Sequence, residues 1–309
     1  MNGKQLAVLL AFISAAALLL NTQTSSKVSE FDAWKARHGI VYTSTFENTY
    51  RERVFLENLA KIEVHNADKT QTYEMGLNQF SALTQEEFSS QYLGFIGEAS
   101  NVDAGTTQMN GDVDWVSQGA VTDVKNQGQC GSCWAFSTTG GLEGLSKLNG
   151  GTLESFSESQ LVDCSGSFGN QACNGGLMTN ALKYVMAKGI VHEDEYPYKA
   201  VKQTCKQDSG PYKVSGYTEI KNCNDLASWI QKGPVSVAVD ASNWSGYKSG
   251  VFSNCSTRLN HGVTLVGVNN GNWWVKNSWG PSWGEKGFVR LTGEKSTCGI
   301  CNMAVVPKK

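Results

Sequence analysis

The chain has 309 residues, 40% hydrophobic and 17% charged, which is enough apolar content for one or two packed domains and excludes wholesale disorder. Its 26 Lys/Arg and 28 Asp/Glu leave a formal net charge of −2, which argues against a general electrostatic binder of nucleic acid. Nine cysteines, an odd number, point to disulfides plus at least one free thiol.

At the N-terminus Lys4 precedes an apolar run from Leu6 to Leu20, interrupted only by Ser14. A spanning helix needs roughly 20 apolar residues, so this shorter run, with Ala15, Ala16 and Ala17 near its end, reads as a signal peptide over residues 1–20. Entry to the secretory pathway then permits disulfides. Residues 1–108 hold 8 Lys/Arg against 12 Asp/Glu, whereas residues 109–309 hold 18 against 16, and all nine cysteines follow residue 129. The stretch from Ile96 to Gly111 is rich in Gly, Ser, Thr and Asn and reads as a linker. The expected organisation is signal peptide 1–20, acidic segment 21–108 ending in a linker over about 96–108, and a main domain over 109–309.

In the acidic segment, Phe31, Trp34 and Arg37–His38 suggest a short helix, and Phe46 to Val64 a longer one with Tyr50, Val54, Leu59 and Ile62 at helical intervals. Within the longer helix Glu47, Arg51, Phe55, Asn58, Ile62 and Asn66 are spaced by three or four, so they share one stripe. In the main domain the pattern predicts helices over Cys133–Leu148, Leu177–Ala187 and Leu226–Lys232. The Gly140–Gly141 pair inside the first costs about 1 kcal/mol per glycine. From Val235 onward, β-branched and aromatic runs at Val235–Val239, Val263–Val268, Trp273–Val275 and Phe288–Leu291 predict strands. The domain is helical first and β-rich later, an α+β layout of two subdomains with a cleft between them.

The densest cluster of reactive residues is Gln127-Gly128-Gln129-Cys130-Gly131-Ser132-Cys133-Trp134. Either Cys130-x-x-Cys133 is a redox dithiol, or one cysteine is a nucleophile and the other structural. No strand run precedes the motif and the chain holds many other cysteines, which disfavours the redox reading. A thiol at a helix N-terminus has its pKa lowered by the helix dipole, and a nearby protonated histidine lowers it further, giving a thiolate–imidazolium pair. Of the four histidines, His261 stands apart in Leu259-Asn260-His261-Gly262-Val263, directly ahead of a strand run.

At this point the sequence resembles the papain-like cysteine proteases, and among them the cathepsin L-like branch. The resemblance rests on Gln127 with Cys133-Trp134, on Asn260-His261-Gly262, on Lys276-Asn277-Ser278-Trp279-Gly280 and on Cys173-Asn174-Gly175-Gly176. The stripe Glu47, Arg51, Phe55, Asn58, Ile62 and Asn66 is the complete pattern of that family's inhibitory propeptide, so the resemblance covers essentially the whole chain. It implies a papain-like two-subdomain fold with a helical left subdomain, a β-barrel-like right subdomain and an α-helical inhibitory propeptide.

The roles implied by the resemblance are specific. Cys133 would attack the scissile carbonyl, His261 would hold it ionised and protonate the leaving amine, and Asn277 would orient the imidazole. Gln127 would donate its side-chain amide to the oxyanion, a contribution of about 3–4 kcal/mol. Trp279 would shield the His261–Asn277 bond from water. Gly175 and Gly176 would let substrate backbone lie close, beside Asn260. Leu177, Met178, Ala238, Leu259 and Met303 would line the pocket for the second residue before the scissile bond, P2, favouring Leu, Val or Phe and rejecting Arg. Family bridges Cys130–Cys173, Cys164–Cys205 and Cys255–Cys298 leave Cys133, Cys223 and Cys301, and we expect an additional Cys223–Cys301 bridge.

No metal or organic cofactor is implied. The expected partners are protein and peptide substrates and the chain's own propeptide, on a monomer with no nucleic acid and, after signal cleavage, no membrane. The expected destination is a lysosome or vacuole, or the exterior. Two N-glycosylation sequons, at Asn243 and Asn254, lie in the main domain. Net negative charge on the propeptide against net positive charge on the domain predicts electrostatic attraction that weakens in acid. One position departs from the family: Gly76-Leu77-Asn78-Gln79-Phe80-Ser81-Ala82 carries Ala82 where an aspartate is expected. A catalytically silent binding or inhibitory protein on the same fold is the alternative. Loss of Cys133, His261, Asn277 or Gln127 would favour it, and all four are present.

Overall fold

The computed structural model describes residue 27 and residues 30–98, 107–220, 222–293 and 295–309. The predicted signal peptide and most of the predicted linker lie outside these residues. Residues 30–38 are helical (α1). They are followed by α2 (Thr45–Ala67), β1 (Tyr73–Met75), α3 (Gln85–Tyr92) and β2 (Val113–Asp114). Next come α4 (Cys133–Leu148), α5 (Glu158–Cys164) and α6 (Met178–Lys188). After β3 (Gly216–Ile220) and α7 (Cys223–Ile230), the chain forms β4 (Val235–Val239), β5 (Tyr247–Phe252), β6 (His261–Asn269), β7 (Asn272–Lys276), β8 (Phe288–Thr292) and β9 (Ala304–Lys308).

Local chemistry explains the helix starts. Ser44 accepts the Glu47 amide at 3.0 Å ahead of α2, Thr84 and Glu87 form a reciprocal capping box on α3, and Asn222 caps α7 through the Asp225 amide. Ser157 caps α5 by accepting the Gln160 amide at 3.0 Å. The sequence pattern misses α5 because every one of its residues is buried, so no polar face interrupts it.

The strands form one sheet in the order β1-β5-β8-β7-β6-β4-β9-β3, with β2 paired to β6. All adjacent pairs are antiparallel except β5–β8. Two apolar cores lie on either side of a cleft. One centres on the strands and α7, with Trp244, Trp273 and Trp283 fully buried. The other gathers α4, α5 and α6 around Trp134, Phe156 and Tyr184. The mixed α+β architecture read from the sequence is the one observed. The glycine pair in α4, a local penalty in helix propensity, has a packing cause. A Cβ on Gly140 would stand 2.3 Å from Thr264 Oγ1, and one on Gly141 would stand 2.6 Å from Ser236 Oγ. Glycine lets α4 lie flat against β6 and β4.

The N-terminal segment folds around its own small core of Phe31, Trp34, Phe55, Leu59 and Ala82, and packs on this body through Tyr73, Phe80, Phe88 and Tyr92. The stripe on α2 holds the returning chain. Asn58 Nδ2 donates to the carbonyls of Ser81 and Leu83, each at 3.0 Å, and the Asn66 amide exchanges two 2.9 Å bonds with Met75. Arg51 donates to the Ala82 carbonyl at 3.1 Å and pairs with Glu87 at 2.7 Å. Phe55 and Ile62 supply the apolar part of the same stripe. The Ala82 side chain is buried beside aromatic rings, and Arg51 finds its carboxylate in Glu87 instead.

Candidate active site

Cys133 opens α4, and its side chain is fully buried. No side-chain cap closes this helix end, because the Ser132 hydroxyl is turned to the Tyr198 phenol at 2.6 Å. His261 opens β6 opposite Val239 of β4, and Asn277 follows the last residue of β7. β6 lies directly on α4: Ser137 Oγ donates to the Val263 carbonyl at 2.6 Å, and a Cβ on Gly262 would stand 3.2 Å from the Cys133 carbonyl oxygen. The Gly262 amide faces the Cys133 sulfur. Helix and strand thus bring the segment that begins with His261 and Gly262 against the start of α4.

Asn277 Oδ1 accepts the Ser278 amide at 2.8 Å, which identifies it as the oxygen, so the His261 Nε2 at 2.8 Å is the protonated nitrogen of the ring. His261 Nδ1 is left as the free nitrogen. The Trp279 ring covers this pair, 4.7 Å from the imidazole centroid, and is itself only 1% exposed. Gln127 is fixed from both ends. Its Oε1 accepts from Ser278 Oγ at 2.7 Å, and its Nε2 donates to the Cys130 carbonyl at 2.9 Å and to the Tyr92 carbonyl at 3.0 Å.

Tyr92 belongs to the N-terminal segment, whose next residues run along the cleft. The Gly94 amide faces the Cys133 sulfur. The Gly176 amide donates to the Gly94 carbonyl at 2.9 Å, and the Phe95 amide donates to the Asn260 carbonyl at 3.0 Å. Phe95 and Gly176 pair in parallel. A Cβ on Gly94 would stand 1.9 Å from the Gly131 carbonyl oxygen, so only glycine permits this approach. The Phe95 side chain enters the helical core together with Met178, Ala238 and Leu259, with Leu177 and Met303 at the margin. The apolar residues expected at the P2 pocket thus share one core with a side chain of the N-terminal segment.

Asn260 meets the N-terminal segment through its backbone carbonyl, which accepts the Phe95 amide. Its side-chain amide donates to Asp240 at 3.1 Å and to Ser242 Oγ at 2.8 Å. Asp240, not singled out in the sequence, also accepts from the amides and hydroxyls of Ser242 and Ser256. Burial opposes its ionisation, but these donors prevail and hold its carboxyl below the usual range.

Electrostatics in the covered cleft keep both reactive groups neutral. Burial pushes the Cys133 thiol up to about 11, against the lowering effect of the surrounding backbone amides. Burial pushes the His261 imidazole down to about 4, against the Asn277 bond. Cys133 is the one free cysteine, and the other eight form Cys130–Cys173, Cys164–Cys205, Cys223–Cys301 and Cys255–Cys298. Cys301 precedes β9 rather than lying on it, and reaches the first residue of α7.

Residues 109–308 match the model of the papain family of cysteine proteases, and residues 31–88 match that of the cathepsin propeptide inhibitor domain. The chain is 43% identical over 305 residues to cathepsin L 2 of Paramecium tetraurelia, covering 94% of this chain and 96% of that one. It is 36% identical to ananain of Ananas comosus, covering 91% and 86%. Its fold superposes on digestive procathepsin L 3 from the larval midgut of Tenebrio molitor with a TM-score of 0.82 at 38% identity, covering 91% of this chain and 98% of that one. The chain belongs to the papain family of cysteine proteases, as the propeptide-bearing precursor of a cathepsin L-like cysteine endopeptidase.

Proposed function

We propose that Cys133, His261, Asn277 and Gln127 carry out the hydrolysis of peptide bonds once the propeptide, residues 21–108, leaves the domain of residues 109–309. With the cleft hydrated, the Cys133 proton passes to His261 Nδ1, and the dipole of α4 and the imidazolium hold the thiolate. The sulfur attacks the scissile carbonyl carbon, and the carbonyl electrons move to an oxyanion facing Gln127 Nε2 and the Cys133 amide. Collapse breaks the C–N bond, and His261 gives its proton to the leaving amine. Water, deprotonated by His261, then hydrolyses the thioester. Asn277 Oδ1 holds the Nε2–H throughout, so the ring turns neither tautomer nor face.

The observation that carries this reading is the bond from Gln127 Nε2 to the Tyr92 carbonyl, 3.0 Å long. A polypeptide carbonyl already sits on the amide assigned to the oxyanion. The propeptide survives there because the atom it turns to the sulfur is the Gly94 N–H, which offers no electrophilic carbon. Phe95 in the pocket of Met178, Ala238 and Leu259 supports a preference for an apolar P2 residue. Burying a Phe or Leu side chain there is worth about 1.5–3 kcal/mol, or roughly a 10- to 150-fold advantage over a residue left outside.

Acid activation is expected from carboxyls that the docked form depresses. Lys248 holds Glu74 below the ordinary carboxylate range across the seam, and Arg51, against the opposing effect of burial, does the same to Glu87 within the propeptide. A released, unfolded propeptide binds protons on these groups at higher pH, so docking weakens as pH falls through the carboxylate range. Four disulfides suit an oxidising route through the secretory pathway to a lysosome, vacuole or the exterior. The test is to acidify purified precursor with a reductant and follow chain shortening and hydrolysis of peptides varied at P2. Activity should rise together with shortening and favour Phe or Leu over Arg, and Cys133→Ser should do neither. Arg favoured at P2, or peptide hydrolysis by the Cys133→Ser protein, would contradict the reading.

A further inference from the structure

Beside the nucleophile helix lies a second cluster of ionisable groups that the mechanism above does not use. Glu158, at the start of α5, has no solvent exposure. Its Oε1 accepts from Lys125 Nζ at 2.6 Å and Thr139 Oγ1 at 2.5 Å, and its Oε2 has no such donor. Glu193, on the loop after α6, accepts the Tyr198 amide at 2.7 Å through Oε1, and its Oε2 likewise lacks a donor. The two carboxyl groups lie within hydrogen-bonding reach of one another. Two carboxylates cannot hydrogen-bond without a proton between them. Glu158 already has an ammonium and a hydroxyl donor, so the proton belongs on Glu193, which donates to Glu158 Oε2.

The Tyr198 ring reaches both flanks of Cys133. Its phenol donates to the Gln127 carbonyl at 2.8 Å and takes the Ser132 hydroxyl at 2.6 Å. Its ring packs edge-on against Phe136 of α4, with centroids 4.8 Å apart. Both glutamates and Tyr198 line an open cavity of about 630 Å³, while the two Oε2 atoms themselves are buried.

We infer that Glu193 is a positioning residue that works in its acid form: shared with Glu158, its proton locks Tyr198 and thereby the Gln127 and Ser132 segments on either side of the nucleophile. The inference rests on the assignment of Gln127 to the oxyanion. Burial and the Glu158 charge push the Glu193 carboxyl well above the usual carboxylate range, against the Tyr198 amide and Lys125. The groups facing it are Glu158 from α5, Lys125 from the segment before the nucleophile motif, with Glu143 of α4 on the far side of that lysine, and Tyr198 from its own loop. Asp123 shares the cavity wall, and His192 turns instead to Glu154 at 3.4 Å. Loss of the proton sets two carboxylates against each other, frees Tyr198 and relaxes the oxyanion side, so hydrolysis falls in mildly alkaline solution while the thiol stays intact.

The test is kcat and KM of the activated enzyme between pH 5 and 10, for wild type, Glu193→Ala, Glu193→Gln and Tyr198→Phe. Glutamine reproduces the neutral acid, with an N–H for Glu158 and an oxygen for the Tyr198 amide. Glu193→Ala and Tyr198→Phe should each lower kcat at pH 6 by about 10-fold with KM nearly unchanged, the loss of one positioning contact. Glutamine should recover most of the loss and move the alkaline limb upward by at least about half a pH unit. An alkaline limb unchanged in Glu193→Gln, or kcat unchanged in Glu193→Ala, would overturn the inference. Gln127→Ala is measured alongside: an unaltered kcat there would refute the oxyanion assignment itself, whatever the Glu193 variants do.

Discussion

The imidazole of His261 depends on one neighbour for its direction. Among the described residues its Nε2 bonds only to Asn277 Oδ1, and Trp279 closes over that bond. Removing the Asn277 side chain deletes an acceptor that becomes charge-assisted once the ring is protonated, a loss of about 1.5–3 kcal/mol. We expect Asn277→Ala in the activated enzyme to lower kcat by about 10- to 150-fold with little change in KM, measured by steady-state hydrolysis. An unchanged kcat would remove Asn277 from the mechanism. At this scale the sequence was informative where a motif names the residue, as for Cys133, His261, Asn277 and Gln127. It was silent on Asp240, Glu158, Glu193 and Tyr198. Much of what holds them comes from distant partners, such as Ser256 for Asp240, 16 residues away, and Gln127 for Tyr198, 71 residues away, and no local spacing encodes such meetings.

At the scale of elements, the propeptide docks by three devices. It adds β1 to the edge of the sheet, with Tyr73 opposite Gly250 and Glu74 opposite Ser249. It threads Tyr92 to Phe95 along the cleft. It also sets Phe80 and Phe88 edge-on against Trp279, with ring centroids 5.4 and 5.2 Å apart. The tryptophan that covers the His261–Asn277 bond is thus also the propeptide's aromatic seat. Phe80 is 3% exposed, and truncating a buried phenylalanine costs about 3–5 kcal/mol. Phe80→Ala should therefore raise the alkylation rate of Cys133 in the precursor at pH 7 by about 30-fold or more, with circular dichroism checking that the fold persists. An unchanged rate would show that the aromatic seat does not hold the propeptide down.

The long helices were legible because their stripes are one-sided: α2 and α4 fall where the pattern places them, within a few residues. β1 and α3 were not read as elements, being only three and eight residues long. The Thr84-to-Glu87 capping box was the available signal for α3. β5 carries Lys248, Ser249 and Gly250 in its middle, a polar stretch that reads as loop until β1 and β8 pair on either side of it.

For the whole molecule, the two cores meet at a cleft whose walls come from opposite ends of the domain, α4 early in the chain and β6 late. Disulfides tie that arrangement down, and Cys223–Cys301 joins α7 to the segment entering β9 across a separation of 78 residues. The charge imbalance between propeptide and enzyme plays a smaller part than composition suggests. Among the described residues a single ion pair crosses the seam, Lys248 with Glu74 at 2.7 Å, and it lies exposed to solvent. Backbone pairing and aromatic contact supply the rest. The acid response is then set by carboxyls held below their ordinary range in the docked form, Glu74 by Lys248 across the seam and Glu87 by Arg51 within the propeptide.

The central expectation is that the Cys133 sulfur, covered and neutral beneath the propeptide, becomes a reactive thiolate once the propeptide leaves. The most direct measurement is the rate of Cys133 alkylation by iodoacetamide from pH 4 to 9, in the intact precursor and in the enzyme freed of its propeptide. The precursor should react at least about 100-fold more slowly at pH 6, where the buried thiol and imidazole are both uncharged, and the freed enzyme should react rapidly down to mildly acid pH, as a thiolate held by an imidazolium does. Equal rates in the two forms, or a freed enzyme whose thiol becomes reactive only above pH 8, would contradict it.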